Sequence, residues 1–186
     1  MRWFWIDRFT EFVAGTRASA IKCVSLSEPH VVDYTPGLPQ LSNALIIEGL
    51  AQTGGLLVSQ TTDFLGRVVL AKISRAIFHA PSLPGELLTY HVEIQSLQSD
   101  GAVMTGSCRV GEELRAEVEL MFALLDDRFN GVELFEPAAL LRLLRNLHLF
   151  AVGRTLDGEP IAVPVHMVDA ERRAGTNGTV LPVGKS

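Results

Sequence analysis

A carboxylate, a carboxamide and an imidazole able to move protons lie close together in one stretch of this chain. Glu48 stands inside an otherwise apolar run, Ala44-Leu45-Ile46-Ile47-Glu48-Gly49-Leu50-Ala51, with Gln52 following. The four-residue spacing puts Glu48 and Gln52 on the same face of a helix. A lone acid in a helix that is apolar on every face is costly unless it is paired or functional. Two readings therefore stand level. Glu48 is either a structural carboxyl tied to Gln52 or to a neighbouring backbone, or an acid that serves chemistry. Upstream lie His30, Asp33 and Tyr34. His30 reads as a packed or edge histidine and Asp33 as a turn residue. His79, His91, His148 and His166 have no metal-like spacing, and edge or surface positions are expected for each. Neither metal nor cofactor is expected.

The elements that position these groups follow from local patterns. Pro29, Pro36, Gly37 and Pro39 fix a loop that cannot continue as helix. Ser42 and Asn43 are good N-cap residues, and they open a helix expected to run to about Phe64, buried on all sides. Gly49, Gly54 and Gly55 each cost such a helix about 1 kcal/mol against Ala, so close approach of a surrounding sheet is the reason to expect for them. Strands are expected at 10–13, 17–26 and 68–78. Alternation of Leu88, Tyr90, Val92 and Ile94 with polar residues marks a half-buried strand, followed by strands at 102–110 and 114–122 after short turns. Three consecutive strands so spaced make an antiparallel meander. Pro137–Phe150 reads as one amphipathic helix with Leu140, Leu141, Leu144 and Leu147 on one face. Its apolar stripe is expected to pack on the core or on a partner subunit. The residues after it read as mostly irregular, with Ile161–Val165 extended along the surface.

The loop and helix together carry a family signature. The order acidic residue, aromatic, Pro-Gly, Pro, helix start, then Leu45-Ile46-Ile47-Glu48-Gly49-Leu50-Ala51-Gln52 resembles the (3R)-hydroxyacyl-acyl-carrier-protein dehydratases of the FabA/FabZ type. Their signature reads roughly Gly-His-Phe-Pro-Gly-x-Pro-x-x-Pro-Gly-x-Leu-x-x-Glu-Ala-x-Ala-Gln, and it matches without a gap from Asp33 to Gln52. Trp3–Phe9 and the Pro84-Gly85-Glu86 turn resemble the family as well. The resemblance covers roughly residues 3–125 and implies an α+β hot-dog fold, an antiparallel sheet wrapped around a long central helix. A C-terminal helix and irregular extension are added to it here. It divides the chain into a dehydratase-like domain at 1–126 and an extension at 127–186.

The resemblance also implies chemistry. In the family, a histidine removes the α-proton of a 3-hydroxyacyl thioester, a glutamic acid helps the β-hydroxyl leave as water, and a helix N-terminal amide polarises the thioester carbonyl. Glu48 falls on the glutamate, while the histidine falls on Tyr34 and the second Pro-Gly is replaced by Ser42-Asn43. The expected catalytic residues are thus Glu48, Tyr34 and His30. Pro36, Gly37, Asn43, Ala44 and Gln52 are expected to bind substrate. A carboxyl in apolar surroundings suits a proton donor. A tyrosine, with an ordinary pKa of about 10, is a poor base at neutral pH. Arg67, Lys72 and Arg75 form either a solvated rim or a contact for a phosphopantetheine phosphate or an acidic carrier protein. The implied partners are an acyl thioester on acyl carrier protein or CoA and a second copy in a homodimer. An acyl thioesterase on the same fold, or a non-catalytic acyl-binding subunit, are the alternatives.

Composition bounds all of this. At 186 residues, with 47% hydrophobic and 20% charged residues, the chain can bury a substantial core. A net charge of −5 without a basic block argues against nucleic acid. No apolar run reaches membrane-span length, and MRWFWIDRF is too short and acidic for a signal peptide. Cys23 and Cys108 are expected to be reduced core thiols, which fits the cytoplasm.

Overall fold

In a computed structural model, residues 4–31, 38–125 and 135–176 are described. Seven strands form one sheet in the order β3-β6-β5-β4-β2-β1-β7. They are β1 (Arg8–Val13), β2 (Arg17–Cys23), β3 (Arg67–Phe78), β4 (Leu87–Gln98), β5 (Gly101–Val110), β6 (Glu113–Leu125) and β7 (Gly153–Arg154). All neighbours pair antiparallel except β1 with β7. The expected meander is β4-β5-β6. Its registers bring Tyr90, Cys108 and Ala116 side by side, and next to them Val92, Gly106 and Val118. Alternation along each strand sends these side chains to one face, where Leu88, Tyr90, Val92, Met104, Cys108 and Leu120 are fully buried. Bulges at Leu70/Lys72, Ile73/Arg75 and Ile94/Ser96 bend the strands and help the sheet curl.

The curled sheet holds helix α1, Asn43–Gln60. Ser42 caps it, its Oγ accepting from the Ala44 amide at 3.3 Å. The helix ends earlier than the expected Phe64. Thr61 and Thr62 turn their hydroxyls onto the Val58 and Ser59 carbonyls, and Asp63 and Phe64 adopt left-handed φ values of 50° and 60°. Ile46, Leu50, Gly54, Leu57 and Val58 face the sheet and are buried. The helix is not buried on every face, however. Asn43, Ala44 and Glu48 are exposed, and Leu45, Ile47, Gln52 and Leu56 only half-buried. The sheet wraps one side of α1 and leaves a flank open.

Two charged side chains are taken into the protein with partners. Lys22, 5% exposed, ion-pairs with Glu28 and donates to the Cys23 carbonyl, which fastens the chain leaving β2. Arg115 donates to Glu86 at 2.6 Å and to Glu113 at 3.2 Å. Strand β2 stops at Cys23, short of the expected Leu26, and Leu26 is 60% exposed. Cys23 is exposed, contrary to expectation, because it points away from the face that buries Ala18, Ala20 and Lys22. Cys108 is buried, and burial pushes its thiol pKa up to about 12.

Beyond the sheet the chain is more helical than its sequence suggests. The expected single helix is broken into α2 (Pro137–Asn146) and α3 (Leu149–Val152) by His148, whose φ of 60° ends the ladder. The carboxylate of Glu136 caps α2 by accepting from the Ala138 and Ala139 amides. Leu140, Leu141, Leu144 and Leu147 are buried in the same apolar cluster as the sheet and α1, and the Leu147 carbonyl accepts from the Phe9 amide. The residues expected to be irregular form a further helix, α4 (Val165–Thr176). It lies against α2, with Met167 fully buried and Glu171 gripping Arg145 at 2.7 Å. Ile161 is buried, not laid on the surface.

The glycines of α1 set how closely it approaches the sheet. A Cβ on Gly49 would stand 2.6 Å from the Tyr90 ring, whereas one on Gly55 would meet Phe122 at an ordinary 3.4 Å. Gly49→Ala is therefore expected to lose about 1–3 kcal/mol through overpacking, outweighing the helix-propensity gain. Gly55→Ala is expected to gain up to about 1 kcal/mol. Denaturant unfolding of both variants checks the contrast, and equal stabilisation by the two would contradict the close approach at Gly49.

Candidate active site

Glu48 projects from the open flank of α1 into an apolar groove of about 380 Å³. One helical stripe, Glu48, Gln52, Leu56 and Ser59, forms its floor together with Ala51 and Gly55. Val68 and Leu70 of β3 and Phe122 of β6 form one wall, and Phe4, Phe135 and Leu143 complete the lining. Among the described residues, Glu48 is the sole charged group in that lining.

The carboxylate is held by a short relay. Gln52 donates from Nε2 to Glu48 Oε1 at 2.9 Å, and its Oε1 accepts from the Trp5 amide at 2.8 Å. A backbone N–H can only donate, so it fixes which way the Gln52 amide faces and turns the NH₂ toward Glu48. Trp5 also meets His30 edge-on, with ring centroids 5.2 Å apart and planes inclined at 72°. The structure thus joins His30, Trp5, Gln52 and Glu48 in a chain of contacts. Such an arrangement keeps one carboxylate oxygen of Glu48 pointed toward Gln52 while the residue stays exposed on the groove side.

The other expected site residues divide into two groups. Asn43 faces a different cavity of about 480 Å³, lined also by Gln40, Ser42, Phe78, His79, Ala80 and Pro81 at the N-terminus of α1. The Ala44 amide is engaged with the Ser42 hydroxyl, so the expected carbonyl-binding amide is already used in capping. Asp33, Tyr34, Pro36 and Gly37 lie outside the described residues. Of the remaining histidines, His79 meets Glu117 at 3.0 Å, His91 meets Ser19 and Glu93, and His166 meets the Asp63 carbonyl. Among the described residues, no group of three His, Cys, Asp or Glu could hold a metal ion. Lys72 and Arg75 are exposed on β3, and Arg75 reaches Glu119 at 3.9 Å. Sequence reasoning missed Trp5, whose role is played by a backbone amide that carries no sequence signal. It also missed Phe135 and Leu143, which come from the far end of the chain.

The relay predicts a difference between its two side chains. Gln52→Leu deprives the Trp5 amide of its acceptor, and leaving such a group unsatisfied costs about 1–3 kcal/mol. Glu48→Gln changes only an exposed group and is expected to move stability by less than about 0.5 kcal/mol. Chemical denaturation of the two variants measures this, and an unchanged Gln52→Leu midpoint would show that the Trp5 amide does not depend on Gln52.

Comparison with known proteins agrees with this architecture. The sequence pattern of the FabA-like domain matches residues 3–117. A 3-hydroxyacyl-(acyl-carrier-protein) dehydratase FabZ of Symbiobacterium thermophilum is 41% identical over 122 residues, covering 65% of this chain and 86% of that protein. The enzyme of the same name from Pelotomaculum thermopropionicum is 38% identical over 120 residues, covering 64% and 86%. Among solved structures, a sigma28-regulated virulence protein of Campylobacter jejuni superposes with a TM-score of 0.56 at 14% identity, covering 68% of this chain and 82% of that one. That likeness speaks to the fold, which is the hot-dog fold. No helix among the described residues is long and apolar enough to cross a membrane. With the match spanning most of the sheet and all of α1, the chain belongs to the FabA-like family and is a relative of the FabZ dehydratases.

Proposed function

We propose that this protein dehydrates 3-hydroxyacyl thioesters, carried on acyl carrier protein or on CoA, with Glu48 as the acid. The observation that carries the reading is Glu48 itself. It is the one charged group described in an apolar groove, it is aimed by Gln52, and it lies in a chain 41% identical to a named dehydratase. In the reaction the α-carbon loses a proton to a base, the β-carbon–oxygen bond breaks, and Glu48 gives its proton to the departing hydroxyl, so that water leaves and an enoyl thioester remains. The apolar lining excludes water from the developing double bond and receives the alkyl chain.

The base position is where this chain departs from its family. Tyr34 stands where the family signature has histidine. An ordinary phenol holds its proton at neutral pH, and loss of a good general base costs about 10²- to 10⁴-fold in rate. His30, packed on Trp5 and four residues before Tyr34 in sequence, completes the catalytic group. The substrate-binding role falls to Gln52 beside Glu48, with Pro36 and Gly37 of the family signature, whereas Asn43 faces the other cavity and the Ala44 amide is held by Ser42.

The active unit in this reading is an isologous homodimer. Strand β3 is an edge of the sheet, and its middle is open on both faces, with Leu70 38% and Ile73 43% exposed. Unpaired edges of this kind invite pairing with a second copy. Because Val68 and Leu70 of β3 also line the groove, pairing there would let the partner complete the site.

Turnover of 3-hydroxyacyl thioesters by the purified protein tests the reading. Glu48→Gln is expected to abolish dehydration, and Tyr34→His to raise it by at least about 10²-fold by restoring an effective base. Hydrolysis of acyl thioesters without dehydration would replace the reading by a thioesterase. If wild type and Tyr34→His are both inert yet bind acyl chains, the protein is an acyl-binding subunit.

A further inference from the structure

The match to the FabA-like family ends at residue 117, yet the groove beside Glu48 is finished by residues that follow it. We propose that the C-terminal helices set the acyl-group selectivity of this site, with Leu143 of α2 and Phe135 as the residues that decide which chains fit. The inference rests on the dehydratase reading for the identity of the reacting group, but not for the identity of the occupant.

The shape and chemistry of the groove point to an alkyl chain. From Glu48 to Ser59 the α1 stripe runs eleven residues, about 16 Å at the helical rise per residue. Its polar groups are Glu48 and Gln52 at one end of that stripe and Ser59 at the other, with apolar lining between. A volume of about 380 Å³ is that of a small-molecule site. A ligand matching this pattern carries one polar reactive head and a long apolar remainder, as an acyl thioester does.

The wall supplied by α2 is fixed in place. Leu140, Leu141 and Leu144 bury the face of the helix next to Leu143, and the salt bridge from Arg145 to Glu171 ties it to α4. The Leu147 carbonyl, bonded to the Phe9 amide at 2.8 Å, ties it to β1. Leu143 is therefore presented by a helix that cannot easily withdraw, and Phe135 sits beside the N-cap of that helix. A rigid apolar wall discriminates by about 10- to 200-fold per methylene of misfit. A mobile one would not.

The test uses the full-length protein and saturated acyl-pantetheine thioether analogues of graded chain length. These carry the arm common to CoA and acyl carrier protein and can be neither dehydrated nor hydrolysed. Binding is measured by calorimetry for wild type, Leu143→Ala and Leu143→Trp, after circular dichroism confirms folding. Wild type is expected to show a length optimum. Leu143→Ala is expected to move that optimum to longer chains, with at least about a tenfold gain for a chain the wild type disfavours. Leu143→Trp is expected to move it the other way. Should either Leu143 variant fail to fold, Phe135→Ala and Phe135→Trp, at a half-exposed position, carry the same expectations. An identical length profile in all folded variants, or no alkyl binding by the wild type, overturns the proposal. A shifted profile without any dehydration of 3-hydroxyacyl thioesters would uphold this inference while removing the dehydratase reading. Dehydration with an unshifted profile would do the reverse.

Discussion

The structure depends on how closely α1 can lie in the curl of its sheet. At Gly49 there is no room for a side chain above the Tyr90 ring, and at Gly54 the sulfur of Met104 occupies the place of a Cβ. Each glycine gives up helix propensity, and the loss is offset by letting Leu50, Leu57 and Val58 sink fully into the sheet. Close packing on one side of the helix fixes its rotation. Rotation in turn decides that Glu48, Gln52 and Ser59 look out of the open side. The position of the acid is thus a consequence of a packing constraint on the opposite face.

Buried ion pairs act on the approach to that site. Lys22 follows Ala18 and Ala20 on the buried face of β2, and it pairs with Glu28, two residues before His30. Lys22 also reaches Asp7 at 3.7 Å and the Cys23 carbonyl at 2.9 Å, so several partners hold its ammonium in place. The N-terminal segment works from the other side, with the Trp5 amide holding Gln52 and the Trp5 ring meeting His30.

Much of this was legible in the chain itself. Period-two alternation located β4 and β6, because each has one wet face and one dry face, and the turns at Ser99-Asp100-Gly101 and Gly111-Glu112 located β5 between them. The signature from Asp33 to Gln52 located α1 and named Glu48. What failed had physical reasons. An all-apolar helix reads as buried on every side, but apolarity on the outer flank of α1 lines a groove and leaves Glu48 exposed. The break at His148 was invisible because left-handed backbone is a property of one residue's setting, and histidine tolerates it better than most. Helix α4 was hidden by a polar, glycine-containing sequence whose helicity comes from packing on α2. Trp5 and Leu143 reached the site through tertiary placement, which no local pattern encodes.

The account's central claim is that a 3-hydroxyacyl chain lies along α1 with its hydroxyl at Glu48. A crystal structure of the full-length Glu48→Gln variant, soaked with a 3-hydroxyacyl-pantetheine thioester, tests it most directly. The β-hydroxyl is expected within about 3.5 Å of the residue-48 side chain. The alkyl chain should run along the α1 stripe past Leu143. A ligand seated instead in the cavity at Asn43 and His79, with the groove beside Glu48 empty, would contradict the account.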